Sequence, residues 1–279
     1  ALFGHIRFAV SNCMRAFALG ITGSQWAHVP AVSPQTRRHF QKLTRFSAAF
    51  AFLADVSMLV LGGGLKRREK LSGRLGDVLS CMYLCSAALK RYEDQGRQQP
   101  DLPLLEWSVW DAMFRAQNAI EGVISNYPSR LVAWLLRRVI FPLGRPYVVP
   151  SDQLGHEVAR LLIAPSGTRD RLTAGMYLPK TESEVVGCLE AALDAAIRAE
   201  GAEQKIRAAQ KDGSLKAAGA QELAQAALAA GIITAEEHAI LKRATQLRNE
   251  AIRVDDFPQD FGRSLALPPA PMAADRAAA

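Results

Sequence analysis

Catalysis and metal binding need reactive groups that converge, and in this 279-residue chain they are scattered. The five histidines, His5, His28, His39, His156 and His238, never fall three or four residues apart, the spacing that would put two ligands on one helix face. The four cysteines, Cys13, Cys81, Cys85 and Cys188, lie in apolar helical contexts. Cys81 and Cys85 share a helix face, but no histidine accompanies them in a zinc-like pairing. They read as free thiols filling a core, which implies a reducing compartment. No Gly-x-Ser-x-Gly elbow occurs, and no Gly-x-Gly-x-x-Gly follows a strand. Asp55, Asp77, Glu106, Asp111, Glu121 and Glu157 lie near apolar surface, yet nothing marks one of them as a base. Asp55, in mid-helix among apolar residues, is expected to pair with a basic residue of a neighbouring helix.

Two stretches look built for binding instead. In Gly62-Gly63-Gly64-Leu65-Lys66-Arg67-Arg68, backbone amides beside Lys66, Arg67 and Arg68 suit an anion. The stretch lacks the Lys-Ser/Thr ending of a phosphate-binding loop, and glycine after an apolar periodic run is the ordinary stop of a helix, which is the preferred reading. The second stretch, Arg130 to Phe141, carries Trp134 on an apolar body with Arg137 and Arg138 at its edge, and Arg145 follows. Interfacial helices have this make-up. So do helices that dock on a bundle and let their arginines snorkel to water, and both readings stay open.

These groups must be carried by helices. Seams repeating every three or four residues run through Ile6, Val10, Cys13, Phe17 and Gly20; through Leu43, Phe46, Phe50, Leu53, Ser57 and Val60; through Leu71, Leu75, Val78, Met82, Cys85, Leu89 and Tyr92; and through Trp110, Met113, Gln117, Ile120, Ile124 and Tyr127. Ser33 with Pro34 opens the second helix, Gly96 closes the third, and Pro128 follows the fourth. Four such seams with short connections predict an all-α protein whose residues 1–127 form an antiparallel four-helix bundle. The seams fill this bundle with packing side chains and leave no room in it for a flavin-sized pocket. Residues 128–182 then read as short helices capped by Ser129 and Ser151, with Pro- and Gly-rich connections. Residues 183–262 read as an alanine-rich helical subdomain, in which Thr234 and Glu237 form a capping box, and 263–279 as a disordered tail.

Charge is divided unevenly: residues 1–150 hold 19 Lys and Arg against nine acidic residues, and the remainder is slightly acidic. The front half therefore suits an anionic partner or simply a solvated basic face. Nucleic acid is not expected, because no recognition motif or aromatic-interleaved basic stretch occurs. No secretory signal is recognisable. The apolar window Phe46 to Leu65 is about long enough to span a bilayer, but Asp55 at its centre favours a buried bundle helix.

Taken in order, several short motifs carry a resemblance. They are Leu2-Phe3-Gly4-His5-Ile6, Leu61-Gly62-Gly63-Gly64-Leu65-Lys66-Arg67, Arg74-Leu75-Gly76-Asp77, Leu89-Lys90-Arg91-Tyr92-Glu93, Asp101-Leu102-Pro103-Leu104-Leu105, Val139-Ile140-Phe141-Pro142-Leu143-Gly144-Arg145 and Val254-Asp255-Asp256-Phe257. Together they resemble the C-terminal region of the large bacterial-type acyl-CoA dehydrogenases, from residue 1 to about 261. The resemblance implies a parent enzyme that oxidises acyl-CoA to trans-2-enoyl-CoA in the first step of fatty acid β-oxidation. There a glutamate removes the α-proton and the β-hydride passes to FAD. It implies that the base and the flavin-binding parts lie upstream of this chain, so no residue here is assigned to them. The upstream flavin-binding region is then the expected partner, with homo-oligomer formation and peripheral membrane contact through Trp134, Arg137, Arg138 and Arg145 left open. The expected location is cytoplasmic, with the inner face of the cell membrane left open. The alternative is a stand-alone basic helical adaptor for an acidic protein or an anionic membrane surface.

Overall fold

The computed structural model describes residues 2–179, 181–216 and 219–254, and the predicted tail at 263–279 lies outside them. Among the described residues the protein is all-α, with no strand. The chain forms two compact units, Ala1–Ala174 and Gly175–Ala279.

In the first unit, the long helices are α1 (Leu2–Ile21), α2 (Pro34–Leu61), α3 (Glu69–Asp94) and α4 (Leu102–Ser125), followed by α5 (Arg130–Ile140), α6 (Asp152–Ile163) and α7 (Gly167–Thr173). Consecutive long helices pack on one another, and α5 inserts against both α1 and α4. The triple glycine ends α2 as expected, but Gly62–Arg67 continues as a 3-10 helix rather than an open loop. The seams of α3 and α4 face the core as expected: Leu71, Val78, Cys85, Leu89 and Tyr92 meet Val109, Met113, Ile120 and Ile124, all buried. On α2 the seam holds from Phe46 to Ser57, while Val60 is exposed. By length and composition α2 is apolar enough to cross a membrane, yet Phe46, Phe52 and Leu53 are part of the bundle core.

The seam of α1 holds only at Cys13, which is half-buried against the core, and at the buried Gly20. Ile6, Val10 and Phe17 are exposed, and the buried face is Asn12, Ala16, Leu19 and Gly20. The helix does have an apolar stripe, Ile6, Val10, Met14, Phe17 and Ile21, but that stripe faces outward, so periodicity selects the wrong face. Asn12 selects the buried face by donating to the Asp55 carboxylate on α2 at 2.9 Å. The partner of Asp55 is thus a buried amide, not the basic residue the sequence suggested. Small residues on the same face permit close approach: a Cβ on Gly20 would stand 2.8 Å from Pro142 Cγ.

Two polar devices hold the unit's extended connections. Gln117 on α4 donates to the Tyr147 carbonyl at 2.7 Å and accepts from the Tyr147 amide at 3.1 Å. The Tyr147 ring is thereby held against Phe46 (4.9 Å between centroids) and Trp110 (6.2 Å). Glu93, at the end of α3, accepts from the Ser33 amide (3.1 Å), the Ser33 hydroxyl (2.6 Å), the Thr36 hydroxyl and Arg97 (2.7 Å). Ser33 stands at the N-cap of α2 as predicted, but its hydroxyl serves Glu93 instead of the helix. Ser129 and Ser151 do cap α5 and α6.

The second unit contains α8 (Val185–Lys211), α9 (Ala220–Ala229) and α10 (Ala235–Ala251). Its core is a thin seam of Ala195, Ala199, Ala202 and Ile206 against Leu241, Ala244 and Leu247. The Thr234–Glu237 capping box opens α10 as the sequence predicts, and Lys205 binds Glu237 at 2.6 Å.

Two outcomes follow from the polar devices. Gln117→Leu orphans two buried backbone groups and should cost roughly 2–4 kcal/mol in urea denaturation. Burial pushes the Glu93 pKa up, but its hydrogen bonds from Ser33, Thr36 and Arg97 outweigh this and hold it at about 2, below the ordinary 4.5. A depressed carboxylate stabilises the fold above its unfolded pKa and loses that contribution as pH falls through the folded one. Acid titration should therefore show stability falling between pH 4.5 and about 2, with a shallower decline in Glu93→Gln.

Candidate docking surface

The helix α5 is built from Ser129 onward so that one face is core and the other is apolar and wet. Leu136, Val139 and Ile140 are buried, whereas Leu131 (75% exposed), Trp134 (56%) and Leu135 (45%) face solvent. Beside it, α1 presents Ile6, Phe8, Val10, Met14, Phe17 and Ile21, all exposed. The two helices pack together.

The predicted cations divide by role. Arg137 forms a two-pronged pair with Glu121 on α4 (2.9 and 2.6 Å) and also reaches Ser125, which fastens α5 to the bundle. Its charge is compensated there. Arg138 lies 5.9 Å from the Trp134 ring, and Arg145 is exposed beyond the helix. Trp134, Arg138 and Arg145 are therefore presented to solvent, and Arg137 acts as a fastener.

A signal that sequence reading passed over is the absence of acid. Residues 1–54 contain no Asp or Glu, and neither does the stretch 122–151 that includes α5. On their own helices the exposed apolar residues of α1 and α5 thus have only Arg7, Arg15, Arg130, Arg137 and Arg138 as charged companions, and Arg145 follows α5.

Of the second candidate set, Arg67 and Arg68 come together with Lys70 and Arg74 around a recess of ≈ 490 Å³ that also touches Glu69, Leu71 and Asn126. Lys66 is exposed but does not line it. A different pocket, of ≈ 340 Å³, lies between α3, α4 and α7 and is lined by Leu84, Ala88, Leu104, Leu105, Arg91 and Asp101 among others. Asp101 closes it by accepting from Thr168 (2.6 Å) and Arg171 (2.8 Å). Neither Glu93 nor Asp101 was singled out from sequence as an anchor, since their partners lie about 60 and 70 residues away.

Nothing in these groups is tuned for covalent chemistry. Burial pushes the Cys85 thiol up to about 12 and raises Cys13 and Cys81, which leaves little thiolate. No three His, Cys, Asp or Glu among the described residues could hold a metal. The buried His39 is held down to about 4 by burial and by Lys42 and Arg38, so it is neutral at physiological pH.

The family model described as "Acyl-CoA dehydrogenase, C-terminal, bacterial type" matches residues 1–257. The chain belongs to that family. No solved structure matches it. Membership implies FAD in the parent enzyme. The residues of this C-terminal domain do not fit that cofactor among those described. A flavin dinucleotide needs an apolar slot joined to a phosphate cradle. The apolar pocket, of ≈ 340 Å³, offers Arg91 and an Arg171 already paired with Asp101, and the cationic recess has Leu71 as its one apolar wall, so neither joins a slot to a phosphate cradle.

The division among the arginines has a measurable consequence. Arg137→Ala should lower stability by about 1 kcal/mol by breaking a forked ion pair. Arg138→Ala should change it by less than about 0.5 kcal/mol. Urea midpoints of the two variants distinguish the roles.

Proposed function

We propose that this domain seats an acyl-CoA dehydrogenase on an anionic membrane surface through the outer faces of α1 and α5. The oxidation of acyl-CoA to trans-2-enoyl-CoA, with FAD as hydride acceptor, belongs in this reading to the flavin-binding region of the parent enzyme. The observation that carries the docking role is the pairing of exposed large apolar residues with cations and no acids on two adjacent helices.

The energetics favour a bilayer. Each fully buried aliphatic or aromatic side chain is worth about 1.5–3 kcal/mol when removed from water. Each cation near an anionic leaflet adds about 1 kcal/mol, and tryptophan prefers the headgroup level. Trp134 with Arg138 over its ring has both parts of that chemistry. An apolar surface of this extent otherwise invites self-association.

Co-sedimentation with vesicles tests the reading. The chain should pellet with phosphatidylglycerol-containing vesicles and remain in solution with pure phosphatidylcholine. Arg138→Glu should weaken binding roughly thirtyfold, from the loss and reversal of one surface charge at about 1 kcal/mol each. Leu131→Ser with Trp134→Ser should abolish it while leaving the helical circular dichroism intact. Binding that ignores vesicle charge, or no binding at all, sinks the proposal.

A further inference from the structure

The recess at the start of α3 is not used by the α1 and α5 faces, and its lining is unusual. Four cations, Arg67, Arg68, Lys70 and Arg74, share it with one acid, Glu69. None of the four forms an ion pair among the described residues, although ion pairs fasten many other arginines of this chain, such as Arg97, Arg115, Arg137 and Arg171. Arg74 is also given its place: a Cβ on Gly122 would stand 2.9 Å from Arg74 Cδ and 3.0 Å from its Nε, so the side chain lies directly over the bare glycine backbone of α4. The floor beside it is the buried Leu71.

Three of the four cations are exposed, and the single acid Glu69 leaves their excess positive charge without a counter-charge in the recess. The group that relieves it best is compact, doubly charged and rich in acceptors. Guanidinium forks match phosphate oxygens two at a time, and lysine adds a point charge. A carboxylate offers one charge and two oxygens to a recess with a net excess of three cations over acids.

We propose that this recess binds a phosphate monoester dianion, held by Arg67, Arg68, Lys70 and Arg74. The phosphate could be carried by a lipid headgroup or by a soluble ester, and the chemistry recognised is the same. In its lipid form the proposal rests on the membrane reading above; in its soluble form it does not.

The test has two arms on the 279-residue chain. In the first, glycerol 3-phosphate is titrated calorimetrically. In the second, vesicles containing phosphatidic acid are compared with phosphatidylglycerol vesicles of matched surface charge. A lipid-borne ligand predicts at least a fivefold preference for phosphatidic acid, lost in Arg67→Ala with Arg68→Ala and retained in Arg138→Ala. A soluble ligand predicts saturable glycerol 3-phosphate binding that weakens at least tenfold in the same double variant. These two cations are exposed, so their removal leaves the core intact. Gly122→Ala, which displaces Arg74, should weaken whichever binding occurs. No glycerol 3-phosphate binding together with equal affinity for the two matched vesicles overturns the recess while leaving membrane docking in place. Glycerol 3-phosphate binding without any vesicle binding keeps the recess and removes the membrane reading.

Discussion

The Asn12 amide and the Asp55 carboxylate, 2.9 Å apart, determine which side of α1 meets the bundle. Asn12 is buried and Asp55 half-buried, and a buried polar group costs little when a partner satisfies it and a great deal when it is left alone. Once that contact turns Asn12 inward, Ala16, Leu19 and Gly20 follow on the same face, and the larger residues Ile6, Phe8, Met14 and Phe17 have nowhere to go but outward. The exposed apolar surface is thus a product of internal polar matching. It is continued by α5, whose own outward residues are left over after Leu136, Val139 and Ile140 have been taken by the core.

Legibility from sequence followed how far away each interaction partner lies. The α3 and α4 seams were readable because their buried residues recur at helical spacing, even though Leu79, Tyr83 and Leu84 of α3 are exposed. Caps at Ser129, Ser151 and Thr234 were readable because donor and acceptor are three residues apart. The α1 face was not, since its large apolar residues line the outward side and the deciding contact spans 43 residues. For the same reason the anchoring carboxylates Glu93 and Asp101 passed as ordinary surface acids. The cation recess was half visible: Arg67 and Arg68 announced themselves beside the glycines, while Lys70 and Arg74 joined only when α3 turned them to the same side.

The arginines show how composition conceals function. A basic half-chain is compatible with many roles, and formal charge does not separate a fastener from a contact. Arg137 is spent on Glu121, Arg171 on Asp101 and Arg97 on Glu93, which ties helices and connections together within the first unit. What remains unmatched is concentrated along the acid-free stretches and in the recess. The chain belongs to the acyl-CoA dehydrogenase C-terminal family, and among its described residues no three His, Cys, Asp or Glu come together to hold a metal.

The alanine seam of the second unit constrains the protein differently. Ala199, Ala202 and Ala244 are almost wholly enclosed, so helices α8 and α10 approach to the distance that a methyl group allows. Every larger residue at those places is a wedge, and glycine there loosens the helix itself. The inner surface of this hairpin is therefore close to frozen against substitution, and sequence drift in that half of the chain is directed onto its solvent side.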